Sequence, residues 1–525
     1  MPAALVASPL LTRPDLFARL EKGHAEQVTV VTPNRRLAQD LQREFDAHQI
    51  AKGLTVWEAP DILPFGAFVE RLWEDALYLD LGEKLPLLLT PAQEQHLWEQ
   101  ILKDASFLLK EGAARQCREA WRLVHQWRVR IGTGTEDALA FSRWAAEYEK
   151  RTAGEIDGAR LPDLMAQHLQ SLKTPKLVVA YAFDVLPPQT EEFLQKLEFV
   201  RSAPEGVTGS SARISYPSAT QEIEAAAKWA RARLEEGKKR IGVVFPDLST
   251  QRSVVARIFS RVMQPGYNLP GAAPAPPLRQ LSERILELSR EANPASPAEW
   301  ARHFSALLEA AGFPGERALD SEEFQTRAKW HEMLGELSKL ERIAVQFSFQ
   351  QAFGFLERLC EATLFQPESP DAPIQVLGVL ESAGLRFDCL WVSGLTDEAW
   401  PLTARPNPFI PIAAQKKAGI PQASAEASAA LDKRLTDEWK RAAAEVVFSW
   451  PAKDKDKDLA PSPLITDIQM VVPAQAGIQF DFPRYRDLIF SARKLETFEA
   501  HFLDGGIGRL GDRDRGVVVQ GIGIF

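Results

Sequence analysis

Residues 176–189, KLVVAYAFDVLPPQ, decide the fold of this chain. After Lys176 the stretch runs through aliphatic and β-branched residues without a charge, which is typical of a strand buried on both faces. Two consecutive prolines exclude a continuing central strand, and the residues that follow them have apolar positions at helical spacing. The stretch therefore predicts a strand, a turn that carries the single acid Asp184, and a helix, which is one step of an α/β fold.

A similar step precedes this stretch. Residues 28–32, VTVVT, form a short β-branched run that predicts a buried strand, and residues 34–49 follow it at helical spacing. From about residue 66 to residue 170 the pattern is almost wholly helical, with few glycines or prolines inside the segments. The first part of the chain therefore predicts a parallel sheet with a helical insertion.

The α/β pattern returns in the second half of the chain. It begins near residue 213, gives way to helical patterns over about 279–365, and resumes at residues 374–395 with two apolar runs around a polar turn. We therefore predict an α/β protein with two parallel-sheet domains, each carrying a helical insertion, and an irregular C-terminal tail. The predicted boundaries are 1–205 with an insertion at about 66–170, 206–450 with an insertion at about 279–365, and 451–525.

Composition limits the function classes. The 525 residues carry a net charge of −9, which disfavours a nonspecific polycation but leaves room for a local basic groove. The sequence contains no run of about 18 apolar residues, so it predicts no membrane-spanning helix. The N-terminus lacks the basic start and the cleavage site of a signal peptide, so we expect a cytoplasmic protein. The three cysteines lie far apart and the eight histidines are scattered, so we expect neither a disulfide framework nor a metal site.

The sequence also lacks a phosphate-binding loop. A nucleotide-hydrolysing sheet needs a glycine-rich loop that ends in Lys-Ser/Thr, together with acids at the ends of neighbouring strands. The sequence contains no G-x-x-x-x-G-K-[ST], and its single Gly-Lys pair, Gly237-Lys238, lies at a predicted helix end. We therefore expect no ATP site, no catalytic residues and no cofactor in this chain.

The 176–189 stretch nevertheless resembles the second motif of superfamily 1 helicases of the UvrD/RecB type. That motif reads three apolar residues, then Asp-Glu-Phe-Gln-Asp-x-x-Pro-x-Gln. Ala180 stands in the place of the metal-holding aspartate and Tyr181 in the place of the catalytic glutamate, whereas Asp184 and Gln189 keep the turn that follows. The closer resemblance is to the AddB-like group, in which the motor has decayed and a PD-(D/E)XK nuclease domain normally follows.

Two further segments carry the resemblance. Residues 30–45 are similar to the family's Thr-x-x-Asn-x-x-Ala-x-x-Leu motif, which contacts the backbone of single-stranded DNA in active relatives; a solvated helix start is the alternative interpretation. Residues 374–401 are similar to the segment that couples nucleotide and DNA sites, with Ala383 where active helicases have a lysine. The resemblance implies these candidate DNA-contacting residues: Thr32, Asn34, Arg35, Arg36, Gly384 and Arg386.

The resemblance implies two RecA-like (P-loop NTPase-like) domains and a catalytically inactive, helicase-like DNA repair or recombination protein. It would bind single-stranded or junction DNA, and residues 451–525 would lead toward a nuclease domain that this sequence lacks; the full-length relative would be a DNA nuclease. One alternative is a protein–protein scaffold that holds a helicase–nuclease partner without contacting DNA. A second is an active ATPase or nuclease, against which the missing motifs argue.

Overall fold

The computed structural model describes most of the chain. The described residues are 10–79, 85–103, 110–131, 134–263, 294–310, 312–314, 318–319, 321–363, 372–471 and 517–518. They divide into two compact units, each built from separate segments of the chain. The first unit comprises Met1–Glu205, Ala275–Thr363 and Ala404–Ser428, and the second comprises Gly206–Pro274, Leu364–Thr403 and Ala429–Phe525.

The strands are short, and those at residues 28–32, 177–181, 210–216, 374–377 and 389–392 fall on the predicted apolar runs. In chain order they are β1 (Leu10–Leu11), β2 (Val28–Thr32), β3 (Asp61–Pro64), β4 (Leu87–Leu88), β5 (Glu155–Ile156), β6 (Leu177–Tyr181), β7 (Phe199–Ser202), β8 (Ser210–Tyr216), β9 (Ile241–Val244), β10 (Ile374–Leu377), β11 (Cys389–Val392), β12 (Glu445–Pro451), β13 (Lys453–Asp454), β14 (Lys457–Asp458) and β15 (Val517–Val518).

Helices fill most of the intervals. They are α1 (Arg13–Leu20), α2 (Arg35–Ala51), α3 (Phe65–Leu77), α4 (Pro91–Ile101), α5 (Lys110–Gln126), α6 (Glu136–Arg151), α7 (Leu161–His168), α8 (Pro188–Leu194), α9 (Ala219–Glu235), α10 (Leu248–Met263), α11 (Pro297–Ala310), α12 (Ser321–Lys339), α13 (Phe349–Ala362), α14 (Val379–Ser382), α15 (Ile412–Ala418) and α16 (Ala425–Lys440). Short 3₁₀ turns lie at Gly23–Glu26, Leu169–Ser171, Leu340–Arg342 and Pro463–Ile465.

The first unit contains a five-stranded sheet in the order β1-β7-β6-β2-β3, and all of its strand pairs are parallel. Strands β6 and β2 are neighbours in this sheet, with Val31 of β2 opposite Ala180 of β6. Their valines are fully buried, and each contributes about 1.5–3 kcal/mol because its apolar surface leaves water. Strands β4 and β5 form a separate parallel pair.

The second unit contains a parallel sheet in the order β15-β10-β9-β11-β12-β8. Its core packs Trp391 of β11 against Trp229 of α9, with ring centroids 5.4 Å apart. Strands β13 and β14 form a charged antiparallel hairpin after this sheet. The predicted α/β class with parallel sheets is thus confirmed.

The helices of the first unit form two further cores. One is built on Trp98 and Tyr148, which stack with ring centroids 4.5 Å apart, and it also holds Phe409 and Ile410 of the 404–428 segment. The other joins α11, α12 and α13, and α4 contacts it through Gln93, which donates to the carbonyl of Lys339.

The compact units follow a different division from the linear one predicted from the sequence. The helices at 297–362, which the sequence places inside a domain of residues 206–450, group with the first unit. Residues 404–428 also group with the first unit. Of the predicted tail 451–525, residues 472–516 and 519–525 lie outside the described residues. In the described part of the chain, no helix is both long and apolar enough to cross a membrane.

Candidate nucleic-acid interface

Thr32 and Asn34 lie where β2 ends and α2 begins. The Thr32 side chain is fully buried, and its Oγ1 donates to the Asn34 carbonyl at 2.8 Å. The Asn34 side chain caps α2, because its Oδ1 accepts from the Leu37 backbone N–H at 2.9 Å. Both side chains are therefore used to turn the chain from the strand into the helix.

The paired arginines follow at the first turn of α2, a helix of 17 residues. Arg35 is exposed, whereas Arg36 is half-buried and interacts with other groups of the protein. A long helix carries partial positive charge at its N-terminus, and an exposed arginine there adds a mobile full charge. Of the two, Arg35 is the one whose side chain faces solvent.

Ala180 and Tyr181 are the last two residues of β6, and each is 2% exposed. Tyr181 lies opposite Ser202 of β7 in the parallel ladder. A carboxylate at either position would be enclosed by neighbouring strands, and an unpaired buried charge is strongly unfavourable. The apolar and aromatic side chains at these two positions therefore belong to the core of the sheet. Asp184 is exposed in the following turn and contacts other groups of the protein.

The Gln189 side chain is buried and hydrogen-bonded to neighbouring parts of the first unit. It is 3% exposed, and its Nε2 donates to the Ala159 carbonyl at 2.8 Å and to Asp163 Oδ2 at 2.9 Å. Burial raises the pKa of Asp163, but hydrogen bonds from Arg128 and Gln189 outweigh it and lower the pKa overall. Gln189 thus ties α8 to α7 and to the turn before it.

Gly384 and Arg386 lie between α14 and β11 in the second unit. Gly384 has φ +77°, in the left-handed region that favours glycine, so the turn itself requires this residue. Arg386 is 8% exposed, and its guanidinium donates to Glu438 Oε2 at 3.3 Å and to the Leu385 carbonyl at 3.1 Å. The structure therefore satisfies the charge of Arg386 inside the protein.

A buried carboxyl group, which the sequence did not indicate, organises the carboxyl edge of the second sheet. Glu222 of α9 is 1% exposed and accepts from the Gly394 N–H at 2.7 Å and from Ser449 Oγ at 2.5 Å. Ser449 also accepts from Trp391 Nε1 at 2.8 Å. Burial raises the pKa of Glu222, because the charged form loses its hydration. Its position in an alanine-rich helix face, close to Ile223 and Ala226, was the available signal.

A cavity of about 420 Å³ lies at the opposite, amino end of the first sheet. Its wall includes Asp61, which accepts from both terminal nitrogens of Arg71 at 2.7 and 2.9 Å and from Thr29 Oγ1 at 2.5 Å. Burial raises the pKa of Asp61, but the hydrogen bonds from Arg71 and Thr29 outweigh it and lower the pKa overall. None of the motif-like residues contributes to this cavity wall.

Within the described residues, no group of three or more His, Cys, Asp or Glu side chains is placed to hold a metal ion. The structure brings Thr32, Asn34, Arg35 and Arg36 together at one strand end, with Tyr181 on the adjacent strand, and places Gly384 and Arg386 in the other unit.

Models of known protein families gave no match to this chain, and neither did curated proteins. The resemblance to the helicase family therefore stays a prediction from the motif-like segments.

Proposed function

We propose that this chain is a DNA repair or recombination protein with a helicase-like architecture and no motor activity. In this proposal its sheets correspond to two RecA-like domains, and it binds single-stranded or junction DNA. The motif-like segments supply positions for contacts to the phosphate backbone, while the chemistry of nucleotide hydrolysis has been lost.

One observation carries the proposal. The segments at residues 30–45 and 176–189 resemble two separate helicase motifs and begin 146 residues apart, yet their strands β2 and β6 are direct parallel neighbours. Parallel neighbours direct their carboxyl ends to the same edge of the sheet, where ligands bind in open α/β folds. The adjacency of β2 and β6 is what the helicase-like arrangement requires of these two segments.

The identity of the residues at that edge supports the absence of a motor. A hydrolytic site needs a carboxylate for the magnesium ion and another to orient water. Ala180 and Tyr181 supply neither, and both are buried in the core. Arg35, by contrast, is an exposed cation at a helix start, which suits a phosphate group.

The test is a titration of fluorescently labelled single-stranded DNA at two salt concentrations. We expect binding that weakens steeply as salt rises, because bound phosphates release counterions. Arg35→Ala should weaken binding several-fold and reduce the salt slope by about one, the change expected for one lost phosphate contact. Arg143→Ala, at an exposed arginine on α6, is the matched control and should leave affinity unchanged.

Failure to bind DNA even at low salt would reject this proposal and favour the alternative scaffold function. The net charge of −9 and the internal pairing of Arg386 with Glu438 both favour that alternative. In that case a helicase–nuclease partner should be retained by the immobilised protein in the absence of DNA. Nuclease treatment of the mixture separates direct protein binding from bridging by DNA.

A further inference from the structure

A buried ionic cluster lies in the helical part of the first unit, away from the sheet edge. Its centre is Asp157, which is fully buried and sits in the turn between β5 and α7. Asp157 accepts from Trp121 Nε1 at 3.1 Å, from Arg160 Nε at 2.7 Å, and from the backbone N–H groups of Ala159 and Arg160, each at 3.0 Å. These four donors satisfy the buried Asp157 carboxyl group and fix it in the turn.

A second carboxyl group approaches the same turn from α4. Glu94 is half-buried, and its Oε1 accepts from the Gly158 backbone N–H at 3.1 Å. The two carboxyl groups therefore bond to successive parts of one turn. Negative charges on both carboxyl groups would therefore repel each other across this turn.

The surrounding charges only partly offset this repulsion. Arg118 of α5 and Arg160 of the turn attract the Glu94 charge, while Tyr148 of α6 adds a neutral phenol whose pKa is raised, first by its burial. Helix α12 packs on α4 through Gln93, and its nearby Glu336 and Lys339 pair with each other at 2.5 Å. Arg118 also donates to the Pro91 carbonyl at 2.8 Å, which divides its hydrogen-bonding capacity.

We propose that Glu94 and Asp157 carry one negative charge between them, and that protonation of Glu94 keeps α4 packed against the 157–160 turn as a pH-sensitive latch, because it removes the repulsion between two carboxylates. Loss of that proton places two carboxylates on one turn and loosens the attachment of α4. The proposal concerns the helical core of the first unit and is independent of any DNA binding.

The direction of the effect follows from the charge environment. Burial, and then the charge of Asp157, raise the pKa of Glu94 from its ordinary value to about 7. The folded protein therefore holds the proton more tightly than the unfolded chain does. The resulting stabilisation is fully present below the ordinary pKa of a glutamate and is lost as pH rises through about 7.

The experiment compares the full-length chain with its Glu94→Gln variant, which keeps an acceptor for Gly158 and cannot ionise. We expect hydrogen exchange of residues 91–101 and 155–160, corrected for the intrinsic pH dependence of exchange, to rise in the unsubstituted protein between about pH 4.5 and 7, to level off at higher pH, and to stay flat in the variant. Glu147→Gln is the control, because Glu147 is an exposed glutamate that pairs with Arg151 on α6; it should retain the rise of the unsubstituted protein.

A persistent rise in Glu94→Gln, or no rise in the unsubstituted protein, would overturn the latch. A second measurement uses the unsubstituted protein and does not depend on whether a variant folds. Carbon-13 NMR of the glutamate carboxyl groups should show one glutamate, Glu94, that titrates near pH 7 in the folded protein. If every glutamate titrates below about pH 5.5, the proposal is wrong, since ordinary glutamates titrate near 4.3.

Discussion

The carboxyl edges of the two parallel sheets differ in whether their polar side chains are exposed to solvent or buried. At the first edge, the exposed Arg35 opens a long helix and faces solvent. At the second edge, Glu222 is buried and bonded to groups of the protein itself, as is Arg386, which precedes β11 at the amino end of the same sheet. A buried polar group needs a hydrogen-bond partner to avoid a desolvation cost. A polar residue that matches a DNA-binding motif can therefore have a purely structural role, as the partner of another buried group. The two edges therefore predict opposite results: substitutions at the second should change stability, and those at the first should change binding.

The largest expected effect is at Glu222. In Glu222→Ala the Gly394 N–H and Ser449 Oγ lose their acceptor, and a small cavity forms. We expect the free energy of unfolding to fall by about 3 kcal/mol, measured by urea titration.

Glu222→Gln gives the sharper comparison. Since burial raises the pKa of Glu222, a neutral amide is closer to the native group than an alanine is. We expect the glutamine variant to lose about 1 kcal/mol. Equal losses in both variants would show that the carboxyl group does not act through the Gly394 and Ser449 hydrogen bonds.

A smaller effect is expected at Arg386. Arg386→Ala removes one of the two arginines that pair with Glu438. Glu438 keeps Arg441, and its side chain is 31% exposed and can be hydrated, so the loss should be about 2 kcal/mol, below that for a fully buried pair. Arg434→Ala, at an exposed arginine on α16, should change the free energy of unfolding by less than about 0.5 kcal/mol. A DNA affinity that falls in folded Arg386→Ala, with no change in stability, would reverse this assignment to packing.

After strand β6 of the first unit, Gln189 is buried and bonded inside the protein, whereas Asp184 is exposed. Gln189→Ala leaves the buried Ala159 carbonyl without its donor and should cost about 1–2 kcal/mol. Asp184→Ala, at an exposed position five residues earlier in the turn, should stay within about 0.5 kcal/mol. If Asp184→Ala is the more destabilising change, the turn is held by its acid and the structural role assigned to Gln189 is wrong.

The strands were the predictable part of the fold. The runs at 28–32 and 374–377 became strands because each is short, apolar and bounded by turn residues, and burial on both faces demands that composition. The start of α2 was also predictable, since Asn34 is a good N-cap and apolar positions recur after it at helical spacing.

The grouping of helices was beyond prediction from one sequence. An amphipathic helix such as α12 shows that one face is buried but does not show which core receives it. The whole segment 275–363, which contains α12, groups with the first unit although the segments on either side of it, 206–274 and 364–403, group with the second. Similarly, Arg386 and Glu222 carry charges that are normally exposed, and only their tertiary partners explain their burial.

The segment at 404–428 has a consequence for how the chain is made. Phe409 and Ile410 fill a core whose other members, such as Trp98 and Phe141, are synthesised about three hundred residues earlier. During translation the ribosome releases that earlier part with its core incomplete, and docking must wait until residues beyond 410 emerge. Until then, the apolar surface that Phe409 and Ile410 cover stays exposed on a nascent chain that already contains most of its tryptophans.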